Sequence, residues 1–178
     1  MVVNINPKVN LYIGMDVLDA VKNRRSVREF TDGEVLDEQV NSILEAGRWA
    51  PSGLNNQPWK FKVVRDKELR EKLAECTHYG NIIINAQVCI AVFLNGKEGY
   101  DRTKDVQAIG ACIQNMLLAV HSLGLGAVWL GEILNKRKEA EKILKTPEDC
   151  ELMAVIALGK PKDKKRMLKR KNLENLLL

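Results

Sequence analysis

Three arginines and a hydroxyl crowd into five positions of the segment NRRSVREF: Arg24, Arg25, Ser26 and Arg28. Arginine presents a planar fork of donors and keeps its charge, which suits it to phosphate. Ser26 adds a neutral donor among them. Like charges this close repel, so the segment is either a solvated edge or the seat of an anion. Taken alone, the plainer reading is a helix C-terminus decorated with cations, which the helix macrodipole favours.

A second polar cluster, Ser52, Asn55, Asn56 and Gln57, lies between Pro51 and Pro58 and is flanked by Trp49 and Trp59. A stiff loop of this kind offers backbone N–H groups and side-chain amides to a ligand. It is equally an ordinary helix-to-strand connection, and the tryptophans by themselves read as core. The third stretch, GLGAVWLGE (Gly124 to Glu132), has glycines in the company of a dinucleotide fingerprint but in the wrong order. A Rossmann glycine run follows a strand and opens a helix, whereas this one ends a helix and opens a strand. Its glycines let backbone approach something flat, or else form a C-cap and a bulge. The fourth stretch is GKPKDKKRMLKRK, Gly159 to Lys171, which holds much of the net charge of +5. No aromatic residue is interleaved there, which is not the pattern of a nucleic-acid binder.

No obvious nucleophile and no pair of catalytic carboxylates stands out. Cys76, Cys89, Cys112 and Cys150 form no CxxC, and His78, two residues from Cys76, does not complete a zinc signature. Cys89 and Cys112 lie in apolar runs where cysteine acts as a small hydrophobe, and all four read as reduced and structural. Glu132, next to Gly131, reads as structural.

The elements that must carry these residues follow from pattern. Asp16 caps a helix whose inner face is Val17, Leu18 and Val21. Asp37 opens a second helix, DEQVNSILEAGRWA, stopped by Pro51. WKFKVVR alternates as a strand with Trp59, Phe61 and Val63 on one face. DKELREKLAEC is a charged surface helix. NIIINAQVCIAVFLN follows, its second half a strand buried on both faces. DVQAIGACIQNMLLAVHSLG is apolar on most of its circumference, so it is buried in the domain or in a subunit interface. LGAVWLG is a short strand, NKRKEAEKILK a surface helix capped by Asn135, and ELMAVIALGKP a last apolar strand. The order describes an α+β or α/β layered domain around a sheet of about four strands.

The 178 residues make one domain spanning 1–178, and 46% hydrophobic content with 29% charged residues supports a proper core. MVVNINPKVNLYIGM lacks the charged region and long apolar stretch of a signal peptide, and no apolar run reaches membrane-spanning length. The expectation is a cytoplasmic protein that engages neither membrane nor nucleic acid.

Taken together, RRSVREF, APSGLNNQPWKF, DVQAIGACIQNMLLAVHSLGLGAVWLGE and LGKP with its LKRK tail resemble the FMN-dependent nitroreductase superfamily, over essentially Met15 to Leu178. The superfamily includes flavin reductases and iodotyrosine deiodinase-like proteins. The resemblance implies an α+β sandwich with a central, mainly antiparallel sheet of about four to five strands flanked by helices. It implies an intertwined homodimer with two FMN molecules at its interface. Arg24 and Ser26, with Arg25 beside them, match positions that hold the FMN phosphate and ribityl chain, and Arg28 matches a basic position near the N1–O2 edge of the flavin. Pro51, Ser52, Gly53 and Asn55 match the loop that reaches the partner's flavin. Leu130 and Gly131 match the pair whose backbone lies near flavin N5. Arg170 matches a basic C-terminal phosphate contact, with Lys169 beside it. His78, Tyr79 and Asn81 are candidates for a mid-chain contact. No metal is implied.

The implied activity is ping-pong hydride transfer. NADH or NADPH gives hydride to flavin N5, and a nitroaromatic, quinone, flavin or similar small acceptor is reduced in its place. GKEGYDRTK is too short for the helical lid that many members place over the substrate. The alternatives are a reductive dehalogenase-like or flavin-modifying member, or a non-catalytic FMN-binding protein.

Overall fold

The structure is a computed structural model that describes residues 15–162 and 169–178. The N-terminal segment and the middle of the basic tail, both read above from sequence, lie outside these residues.

Helix α1 (Val17–Asn23) starts at Asp16, whose carboxylate accepts the N–H groups of Leu18 and Asp19. Helix α2 (Asp37–Arg48) drops Val40 and Ile43 into the core and ends before Pro51. A loop containing a short 3-10 turn, Gly53–Asn55, leads to β1 (Trp59–Val64). Helix α3 (Lys67–Ala74), capped by Asp66, is followed by α4 (Gly80–Asn85) and β2 (Val88–Asn95). The long helix α5 (Arg102–Ser122) leads through Gly124 into β3 (Gly126–Leu130). A 3-10 turn, Glu132–Lys136, runs into α6 (Arg137–Ile143), and β4 (Cys150–Gly159) closes the sheet.

The strand order is β1-β2-β4-β3, antiparallel at every pairing. Strand β2 is buried along its whole length, and its side chains divide by the two-residue period of a strand. Val88, Ile90, Val92 and Leu94 share one core with Ile43 of α2 and with Ile109, Ile113 and Met116 of α5. Cys89, Ala91 and Phe93 share the other with Leu73, Ile83 and Ala140 of α3, α4 and α6. Burying each Ile, Val or Leu contributes about 1.5–3 kcal/mol, so this strand anchors both layers. Helices α2 and α5 meet closely at Gly47, where a Cβ would lie 2.8 Å from Met116 Cγ.

Two local readings need correction, at α1 and at Asn135. Val17, Leu18 and Val21 do not face the core; they are 70%, 64% and 51% exposed, and the residue that α1 buries is Ala20. The helix is too short to bury two faces, and its wider apolar stripe points outward. In β1 the alternation holds: Trp59 and Phe61 pack on the core of α2 and α5, Val63 at the far end of that face is exposed, and Val64 packs in the other core. Asn135 does not cap α6; it lies in the preceding 3-10 turn, and Lys136 holds the cap position. NIIIN, for which the pattern specifies no element, is part of the short helix α4.

Candidate functional site

The arginine segment leaves α1 and runs beside β3. The Val27 N–H donates to the Ala127 carbonyl at 2.9 Å, and Ser26 pairs with Ala127 in an isolated parallel bridge. Gly126 is required by this approach, since a Cβ there would lie 2.7 Å from a Val27 methyl. Arg25 folds back on α1, its Nη1 donating to the carbonyls of Lys22 and Arg24, so it serves as the cation at the helix C-terminus. Arg24 has a different setting. Burial, then the charge of Arg170 and then that of Arg25, push its pKa below the ordinary arginine value. The structure therefore brings Arg24, Arg25, Ser26 and Arg170 together from the two ends of the chain.

Along β3, Leu130 is buried and Gly131 is exposed. From Ala127 to Gly131 the strand advances about 13 Å, which puts the arginines and the Gly131 backbone at opposite ends of an elongated surface. Glu132 locks the far end. Its Oε2 accepts the Thr77 hydroxyl and the His78 N–H, and its Oε1 lies 3.0 Å from His78 Nδ1 and accepts from Asn135 Nδ2 at 3.2 Å. The Thr77 hydrogen bond is the main cause that holds the Glu132 carboxyl below the usual range. Through this one carboxylate, His78, Tyr79 and the start of α4 with Asn81 are set beside Gly131.

The loop carrying Pro51, Ser52, Gly53 and Asn55 sits elsewhere. Three of its non-glycine residues have positive φ: Leu54 at 53°, Asn55 at 56° and Gln57 at 48°. Strained backbone of this kind persists only where neighbours over-determine it. Here Ser52 Oγ accepts the Gln57 N–H at 3.0 Å, and Asn56 Nδ2 donates to Asp105 Oδ1 and to the Glu98 carbonyl, each at 2.8 Å. Asp105, only 2% exposed, also accepts the N–H groups of Tyr100 and Asp101. Gly53 lies under Tyr100, whose hydroxyl oxygen would be 1.8 Å from a Cβ at that position.

The loop is thus fixed to the start of α5 at Asp105, whereas the field of Arg24 and Arg25 acts on His121 at its end. Asp105 and His121 are separated by about 24 Å of helix. One chain consequently holds the two candidate clusters apart. Arg28 stands apart as well: its Nη1 donates weakly to the Ser26 carbonyl, and it borders a cleft of about 670 Å³ with Phe30, Arg70, Asn85 and Lys162. That cleft includes none of the other candidates.

Asp105, Tyr100, Thr77 and His121 are functional neighbours that the sequence reading does not single out. A carboxylate at the head of an apolar helix is a visible sign for Asp105. The Thr77–Glu132 contact joins residues far apart in the chain and leaves no local pattern. Among the described residues, no group of His, Cys, Asp or Glu could hold a metal ion, and no helix is long and apolar enough to cross a membrane.

The family model of the nitroreductase family matches residues 21–82 and 74–160. A protein of Methanothermobacter thermautotrophicus, provisionally called an NADH dehydrogenase/NAD(P)H nitroreductase, is 41% identical over 161 residues, 89% of this chain and 83% of the relative. A protein of Archaeoglobus fulgidus with the same provisional name is 38% identical over 153 residues, covering 84% and 88% respectively. The crystal structure of a provisional nitroreductase from Desulfovibrio desulfuricans, in complex with FMN, superposes with a TM-score of 0.87 at 47% identity, covering 98% of this chain and 97% of that one.

Proposed function

Because this chain belongs to the nitroreductase family, we propose that it is an FMN-dependent NAD(P)H oxidoreductase that works as a homodimer. The observation that carries the reading is the unbalanced charge at Arg24, where the acting charges, Arg170 and Arg25, are both cationic. A phosphomonoester dianion offsets that repulsion, and arginine is the side chain best shaped to hold it. FMN has such a phosphate on a chain long enough to lie along β3 toward Gly131. The D. desulfuricans relative, similar over nearly its whole length, carries this cofactor.

When bound, FMN supplies a ring that accepts hydride at N5 and passes it on. The residues of this chain bind and orient it. Arg24, Arg25 and Arg170 hold the phosphate, Ser26 the ribityl chain, and Gly131 leaves the ring face unobstructed. Arg28 borders a separate cleft in the single chain and reaches the pyrimidine edge only by turning out of it; a cation at that edge favours the charge that a reduced ring develops. The loop Pro51–Asn55 belongs to the partner's site, because its anchor lies about 24 Å from the arginines along α5. An antiparallel pairing of two copies across a two-fold axis places each loop at the other's arginine end. The outward stripe of α1 (Val17, Leu18, Val21) and the C-terminal Leu173, Leu176 and Leu177, all exposed in the single chain, supply apolar surface for that contact.

NADH or NADPH and then an acceptor occupy the open face in turn. The segment from Gly96 makes one 3-10 turn and enters α5 at Arg102, leaving no chain length for a lid. An uncovered face suits flat acceptors of varied outline, such as nitroaromatics, quinones and free flavins. The test is the visible spectrum of the purified protein after incubation with FMN and removal of the excess. One flavin per chain, bleached by NADH or NADPH under argon and restored by nitrofurazone or a quinone, supports the reading. Absence of retained flavin overturns it. Retained flavin with dehalogenation but no nitrofurazone or quinone turnover assigns the protein to the dehalogenase-like branch.

A further inference from the structure

His121 closes the last turn of α5, where its Nε2 is enclosed and has no hydrogen-bond partner. We propose that His121 takes up a proton when a flavin phosphate binds beside Arg24, and thereby couples flavin affinity to pH; the inference rests on the flavin reading above.

The surroundings of the imidazole set up the coupling. The C-terminus of a helix favours a cation, and His121 is the basic residue of that turn. Burial opposes the charge, followed by Arg24 and Arg25, and together these hold the imidazole below its ordinary pKa. Arg170 in turn acts on Arg24. Helix α1, packed on α5, carries Asp16, Asp19 and Lys22, all exposed, with Asp16 engaged as the helix cap. Strand β3, Gly126–Leu130, has no ionisable side chain. Of the α2 carboxylates, Asp37 is engaged by Arg65, Glu45 by Arg48, and Glu38 is exposed. His121 without ligand is therefore a neutral ring among cations.

A dianion bound beside Arg24 offsets the positive charge that Arg24 and Arg25 impose on the ring and so removes much of what opposes its protonation. The helix terminus and the ligand then favour the same protonated state. The proton balance is simple: one proton leaves the buffer and binds the imidazole as the phosphate binds. Riboflavin, with the same ring and no phosphate, brings no such charge.

The chain contains two histidines, His78 and His121. Spectra of wild type and of His121→Gln therefore assign both imidazole C–H resonances at once. Each is titrated from about pH 5.5 to about pH 9, free, with FMN and with riboflavin, spanning the range in which histidine changes charge. FMN should raise the His121 midpoint and riboflavin should leave it in place. Between the free and bound midpoints, the FMN Kd should weaken by up to about tenfold per pH unit, as expected for one linked proton. His121→Gln should still bind FMN and should lose that slope. FMN binding with an unmoved His121 midpoint, or a slope that persists in His121→Gln, overturns the coupling and leaves the flavin reading intact. Failure to bind FMN at every pH overturns both.

Discussion

The separation of the two clusters along α5 makes a prediction about complementation. Arg24→Glu reverses the charge that receives the phosphate. Charge-assisted hydrogen bonds contribute about 1.5–3 kcal/mol each, so the variant should lose at least roughly ten- to a hundredfold in FMN affinity. Gly53→Val forces a side chain into the space of Tyr100, where even a Cβ would come to 1.8 Å of the hydroxyl oxygen, so either the loop or the 44% exposed Tyr100 side chain must move. Each variant breaks both sites of its own homodimer. When two chains with different tags are coexpressed and the mixed dimer is purified through both tags, the defects segregate. One site receives both substitutions, and the other receives the native Arg24 of one chain and the native Gly53 loop of the other. The mixed dimer should therefore retain about one flavin, half the wild-type content, where each parent retains close to none. Absorbance against protein concentration after gel filtration reads this directly. A mixed dimer without flavin would mean that both clusters must come from the same chain, contrary to the geometry of α5. A Gly53→Val homodimer with full flavin whose loop is shown by proteolysis to have moved would remove the loop from the site.

Asp105→Ala leaves Asn56 Nδ2, Tyr100 N–H and Asp101 N–H without their acceptor at a position 2% exposed. With some donors regaining water, the cost should be about 3–5 kcal/mol, seen as a Tm lowered by about 6–20 °C at equal protein concentration. Glu151 is held below the usual carboxylate range, first by its hydrogen bond from Arg102 and also by the charge of Arg137. A depressed folded pKa gives stability that is present above the unfolded value, about 4.3, and lost as pH falls through the folded value. The Tm of Glu151→Gln should therefore fall less than that of wild type between about pH 6 and about pH 3, and an unchanged acid limb would dismiss this pair as a contributor. Burial pushes the Cys89 and Cys112 thiols up to about 12, and Cys76 is 2% exposed, leaving Cys150 as the half-buried thiol. A disulfide reagent should titrate one slow thiol in the native protein, absent in Cys150→Ser, and all four in denaturant.

How far the fold can be read from the sequence depends on where each segment's stability comes from. Strands β2 and β4 are legible because they are buried on both faces and so consist of long apolar runs. Helix α5 is legible because its length and apolar circumference leave no other reading. Helix α4 is not. NIIIN has three β-branched residues, no capping side chain and no room for a second turn of pattern. It is helical because Arg70, from α3, donates through Nη1 to the carbonyls of Ile83, Ile84 and Ala86 at its C-terminal end. That support comes from another element and is invisible in the segment itself.

The site shows the same division. NRRSVREF and PSGLNNQP are recognisable as motifs because each is local: clustered cations in one, turn-forming amides between prolines in the other. Their relation is not local. Nothing within either motif states that Asp105 holds one cluster to the head of α5 while the field of the other falls on His121 at its tail. The exposed stripe of α1 arises for the same reason. Val17, Leu18 and Val21 announce by their spacing a surface to be buried, and the spacing is silent on whether the covering body is this chain or a copy of it. On the reading proposed here a split binding site and an uncovered apolar stripe have one cause: the helix that separates the clusters in one chain is long enough that a second chain is needed to bring them together.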